Sequence, residues 1–91
     1  MPKVIITANV EDVTKWEAGF RTHGGLFKSQ TIKVCQYSLG KDKQIAVCFE
    51  MDDLDTYMKI LDSPETAEAM TADGIDRDSV RIFVLDKEFR P

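Results

Sequence analysis

The chain is short of the residues that most site chemistry needs. Its 91 residues include one histidine, one tryptophan and two cysteines. A single histidine, with no His-x-x-x-His and no clustered cysteines, offers no ligand set for a first-row metal. There is no Cys-x-x-Cys, no Ser/His/Asp or Cys/His set, no phosphate loop and no dinucleotide fingerprint. The apolar run Val4-Ile5-Ile6 is far too short for a signal-peptide core or a membrane span. Basic residues are in deficit, 12 against 16 acidic, for a net charge of −4. That balance argues against nucleic acid as the main partner, since phosphate binding needs a basic surface. Two cysteines without a secretory signal point to reduced thiols and a cytoplasmic protein. No repeat, low-complexity tract or linker divides the sequence, so residues 1–91 are expected to form one domain.

What is present is a regular order of elements. Residues 3–10, rich in β-branched side chains, predict a strand. Asp12 or Thr14 then caps a helix, with Thr14 and Glu17 in capping-box spacing. Val13, Trp16, Phe20, His23 and Phe27 follow at helical intervals. Gly24-Gly25 interrupts that stripe, either as a left-handed cap or to allow a close approach. Residues 31–39 and 44–51 predict a hairpin. A four-residue loop would set Tyr37 opposite Ala46, Cys35 opposite Cys48 and Lys33 opposite Glu50. Val34–Phe49 and Ile32–Met51 would then face the core. Asp52 is expected to cap the next helix, which Ser63-Pro64-Glu65 restarts and Gly74 ends. Residues 79–87 close the chain as a strand.

This βαββαβ order predicts an α+β, ferredoxin-like domain: a four-stranded antiparallel sheet with the helices on one face. The other face should be polar. Instead it would carry Ile5, Thr7, Cys35, Tyr37, Ala46, Cys48, Phe83 and Leu85. A second copy is expected to cover that face in a two-fold homodimer. A chain this short buries only about 60–65% of its unfolded surface, which adds to the value of a partner.

The early strand, Asp12 to His23, Phe49 through Leu54, Ser63-Pro64-Glu65, Glu68-Ala69-Met70 and Gly74 together resemble the dimeric α/β-barrel superfamily. This group includes antibiotic-biosynthesis monooxygenases, polyketide cyclases, haem-degrading monooxygenases and muconolactone isomerases. The resemblance spans nearly the whole chain, and it implies a fold more firmly than an activity. It implies a pocket between the first helix and the sheet, and a cofactor-independent, monooxygenase- or cyclase-like enzyme acting on a small apolar or aromatic compound. A non-catalytic binding protein and a solid-cored interaction module are the alternatives. The haem-degrading members use a histidine, tryptophan and asparagine arrangement that these residues do not match, so no cofactor is expected.

His23 is the best candidate for a catalytic group, since it can hold or move one proton. A structural histidine near a helix C-terminus is the plainer reading. Trp16, Phe20 and Phe27 are expected to line the ligand site with it, although such a stripe is also ordinary core. Cys35 and Cys48 read as buried, inert thiols. Glu17, Glu50 and Asp86 are possible acids or bases, but nothing selects them from sixteen carboxylates. Asp73–Asp78 lacks calcium-loop spacing and reads as solvated loop.

Overall fold

The computed structural model describes residues 1–91. Its elements are β1 (Lys3–Val10), α1 (Val13–Phe20), α2 (Gly24–Ser29), β2 (Ile32–Leu39), β3 (Gln44–Met51), α3 (Leu54–Leu61), α4 (Pro64–Ala72) and β4 (Ile75–Val84). The strands form one antiparallel sheet in the order β2-β3-β1-β4. This is the expected ferredoxin-like βαββαβ fold, with each helical region broken in two.

The core follows from strand alternation. Val4, Ile6, Ala8 and Val10 on β1 are buried, as are Ile45, Val47, Phe49 and Met51 on β3. They join Trp16, Phe20 and Tyr57 of the helices in one cluster. The helices therefore cover one face of the sheet.

Capping defines the helix starts. Asp12, rather than Thr14, caps α1 and accepts from the Thr14 and Lys15 amides at 2.8 and 3.2 Å. Asp53, rather than Asp52, caps α3. The Thr56 hydroxyl donates to it at 2.9 Å and holds the Asp53 carboxyl below its ordinary range. Asp52 instead pairs with Lys33 at 3.4 Å. Ser63 and Pro64 open α4 as expected. Gly74 follows that helix at φ +75°, a conformation glycine adopts without strain. Thr31 sits at φ +61°, unusual for a β-branched residue. Its hydroxyl accepts from the Asp53 amide at 3.0 Å, and its carbonyl accepts from the Asp52 amide at 3.0 Å. Those bonds hold the start of β2 against the end of β3.

The hairpin register corrects the expectation by one residue. Ile32 opposes Met51, but an irregularity before Val34 sets Val34 opposite Glu50, Cys35 opposite Phe49, Gln36 opposite Cys48 and Tyr37 opposite Val47. A one-residue slip moves side chains to the opposite face. Cys35 and Tyr37 therefore face the helices, and Val34 is exposed. Cys35 and Cys48 do not oppose each other, and both are free. Turn chemistry is one cause. Asp42 and Lys43 both take positive φ, so Leu39 pairs with Ile45 rather than Gln44. Aromatic packing is the other. The Tyr37 ring lies 5.7 Å from Trp16 and 5.2 Å from Phe20. Its hydroxyl donates to Glu17 and accepts from Arg21 Nε at 3.0 Å, clasping α1 to the sheet edge.

The uncovered face is accordingly less apolar than expected. Ile5, Ala46, Cys48 and Phe83 remain on it with Val34, but Thr7, Gln36, Ser38, Glu50 and Arg81 lie among them. β4 also starts at Ile75, not residue 79, so the supposed loop Asp73–Asp78 is mostly strand.

The clasp gives a test of this register. Tyr37→Phe removes a hydrogen bond to a carboxylate and one from a guanidinium. It should lower unfolding stability in urea by about 1 kcal/mol. No loss would place Tyr37 on the opposite face.

Candidate functional site

An apolar cavity of about 70 Å³ lies between the helices and the sheet. All four sequence-predicted residues, Trp16, Phe20, His23 and Phe27, line it. They do not lie on one helix. α1 ends at Phe20, and His23 is the residue before α2. The Thr22 hydroxyl donates to the Gly19 carbonyl at 2.6 Å and the His23 amide to Phe20 at 3.2 Å, which tightens the turn. Gly24 and Gly25 therefore begin a helix rather than end one, and neither has positive φ.

The aromatic wall is continuous. Trp16 stacks on Phe20 at 4.7 Å, Phe20 meets Phe27 at 5.1 Å, Phe27 meets Phe49 at 5.4 Å, and Phe49 meets Tyr57 at 5.9 Å. Such pairs add stabilisation beyond their buried area. One wall is α2. It contributes Leu26 and Phe27 to the cavity but buries none of its own residues. Nothing lies within 4 Å of a Cβ built on Gly24 or Gly25.

His23 has a partner that sequence reasoning missed. Its Nε2 lies 2.8 Å from Oδ2 of Asp73, which is 6% exposed at the C-terminus of α4. Asp73 also lines the cavity. With an ionised Asp73 the Nε2–H donates, and Nδ1 has no hydrogen-bond partner in the protein. Gly19 makes the approach possible, since a Cβ there would collide with the Asp73 carboxylate. The close-approach glycine is thus Gly19, not the Gly24-Gly25 pair. One signal for Asp73 was readable: an acid at the negative end of a helix needs a compensating partner.

Three further polar residues line the cavity: Gln30, 3% exposed, Thr66, 5% exposed, and Tyr57, 0% exposed. The Tyr57 hydroxyl is buried without a hydrogen-bond partner. Burial, helped by Cys35, pushes its ionisation up, so it remains a neutral phenol. Glu17, Glu50 and Asp86 do not join His23. Glu17 holds Tyr37, Glu50 pairs with Lys3 at 3.7 Å, and Asp86 is exposed beyond β4. No three His, Cys, Asp or Glu side chains come together in a group able to hold a metal ion. No helix is long and apolar enough to cross a membrane.

Burial pushes the Cys35 thiol up to about 11, with Cys48 adding to the shift. Only about 0.1% of it is thiolate at pH 8, so iodoacetamide should leave Cys35 intact there. Its alkylation, followed by mass spectrometry, should rise about tenfold per pH unit from 8 to 10. A plateau near pH 8.5 would contradict this placement.

No protein-family model and no curated protein matches the sequence. Solved structures do match in shape. A candidate antibiotic biosynthesis monooxygenase from Bordetella bronchiseptica has a TM-score of 0.74 at 12% identity, over 97% of both chains. SnoaB, a cofactor-independent oxygenase from Streptomyces nogalater, has a TM-score of 0.73 at 13% identity, over 98% of this chain and 94% of its own. A candidate antibiotic biosynthesis monooxygenase from Caulobacter crescentus has 0.71 at 17% identity, over 97% and 90%. At these identities the likeness is one of architecture, and this chain shares the ferredoxin-like fold of those monooxygenases.

Proposed function

We propose that the chain is a cytoplasmic, cofactor-independent enzyme of the oxygenase kind, acting on a small apolar or aromatic compound held between the helices and the sheet. The observation that carries this reading is the His23–Asp73 pair, at 2.8 Å, on the wall of a mostly apolar cavity. The aromatic wall would hold the apolar body and exclude water. Asp73 would fix the ring through Nε2, leaving Nδ1 to accept one proton from the substrate. The fold shared with SnoaB supports the choice of chemistry.

A protein that binds such a compound without turning it over is the second reading. The wall carries no carboxylate besides Asp73, since Glu17, Glu50 and Asp86 stand elsewhere, and that scarcity of acids and bases favours it. Dioxygen uptake separates the two. With a panel of small hydroxylated aromatics, and no added metal, flavin or haem, the protein should consume dioxygen. His23→Ala should slow uptake by about 10²–10⁴-fold. No uptake with any member, or equal uptake by His23→Ala, would overturn the enzyme reading.

We also propose a homodimer through the uncovered sheet face, with Ile5, Ala46, Cys48, Phe83 and Leu85 at its centre and Val34 replacing Tyr37. Phe83 is 54% and Leu85 47% exposed in the single chain, which supports burial by a second copy. Sedimentation at micromolar concentration should give a dimer, and Cys48→Arg should abolish it by burying an unpaired charge. A wild-type monomer would end this proposal.

A further inference from the structure

α2 starts differently from the other helices. The side chains of Asp12, Asp53 and Ser63 cap α1, α3 and α4. The residue before α2 is His23, whose ring is turned to Asp73 and makes no capping bond. A helix start without such a cap leaves backbone donors unsatisfied and is weaker for it. The next two residues are Gly24 and Gly25, and glycine is the poorest helix former after proline. Nothing in the packing requires them. Neither has positive φ, and a Cβ on either would meet open space. None of the six residues of α2 is buried. Phe27 supplies the hold on the core: its amide donates to the His23 carbonyl at 3.0 Å, and its ring lies 5.1 Å from Phe20 and 5.4 Å from Phe49. Both flanks of α2 are fixed. His23 is held by Asp73 at 2.8 Å. At the far end Gln30 is buried, and Thr31 accepts from the Asp53 and Asp52 amides.

We propose that α2 is a lid on the cavity, hinged at Gly24-Gly25 and pivoting on Gln30 and Thr31, which swings Leu26 and Phe27 clear to admit an organic ligand. The inference rests on the reading of the cavity as a ligand site and supplies the way in. The closed space is about 70 Å³, less than the roughly 150 Å³ that holds benzene. The closed form therefore has no room for an aromatic ring. Leu26 and Phe27 stand on the cavity wall and are only half-buried, so moving them enlarges the space while exposing little new apolar surface. The hinge follows His23 directly, so the imidazole can stay on Asp73 while the lid moves.

The test uses Gly24→Ala/Gly25→Ala, which favours the helical hinge without adding a clash. Dissociation constants for xenon and benzene would be measured by NMR titration of wild type and variant, with hydrogen exchange of the backbone amides alongside. Xenon, small enough for the closed space, should bind both proteins equally. Benzene should bind wild type, and should bind the variant between about fourfold and thirtyfold more weakly because the open form becomes rarer. In wild type the Phe27 amide should exchange about tenfold faster or more than the Tyr57 amide, which occupies the same place in α3, and the variant should slow it. The variant should melt no lower than wild type. Equal benzene affinity in the two proteins would overturn the lid and leave the cavity reading standing. Failure of wild type to bind benzene would overturn both. A Phe27 amide as protected as that of Tyr57, or a lower melting temperature for the variant, would also overturn the lid, because α2 would then be a fixed wall or its glycines a packing requirement.

Discussion

The contact between His23 and Asp73 is what the arrangement around the cavity depends on. It joins the turn after α1 to the end of α4, elements fifty residues apart in sequence. Burying a carboxylate is costly unless it is paired and hydrogen-bonded. Asp73 is buried at the helix end where the dipole disfavours an anion, so the imidazole is its compensation. Several local choices then follow. Gly19 must lack a side chain so that the carboxylate can approach α1. The chain must turn after Phe20 so that His23 reaches across. α2 must begin at Gly24, which brings Leu26 and Phe27 over the cavity. A polar pair thus closes one side of a space whose other walls are mostly aromatic and aliphatic.

Much of the fold could be read from residue patterns. Alternation in KVIITANV gave β1 its true limits, Lys3–Val10, and its buried face. Ser63-Pro64 marked the restart of the second helical region because a capping serine and an N1 proline act locally. Register was different, because it is decided between strands. The expected loop geometry, with Leu39 against Gln44, ignored two consecutive positive-φ residues and the pull of Tyr37 toward Trp16 and Phe20. One residue of slip was enough to move Tyr37 and Cys35 from the uncovered face to the helix side.

The site was legible in part for the same reason. Helical spacing placed Trp16, Phe20, His23 and Phe27 together, and the structure puts all four around one cavity, though on two helices and a turn. Asp73, Gly19 and Tyr57 were not found. Each acquires its role from an element distant in sequence, and no local pattern marks such a pairing. Asp73 did carry a local conflict, an acid before a helix-terminating glycine, and conflicts of that kind tend to lie at sites. The structural neighbours do not close this gap, since an architecture shared at 12–17% identity fixes where a pocket can lie and not what its residues do.

The central claim is that an empty apolar space bounded by Trp16, Phe20, Phe27 and Tyr57 exists between the helices and the sheet, ready for a ligand. Diffraction from crystals pressurised with xenon tests it most directly, since xenon enters dry apolar cavities and is readily located. The account predicts one strong xenon site within that wall, with His23 still on Asp73. Xenon found elsewhere only, with those side chains collapsed into a solid core, would contradict it.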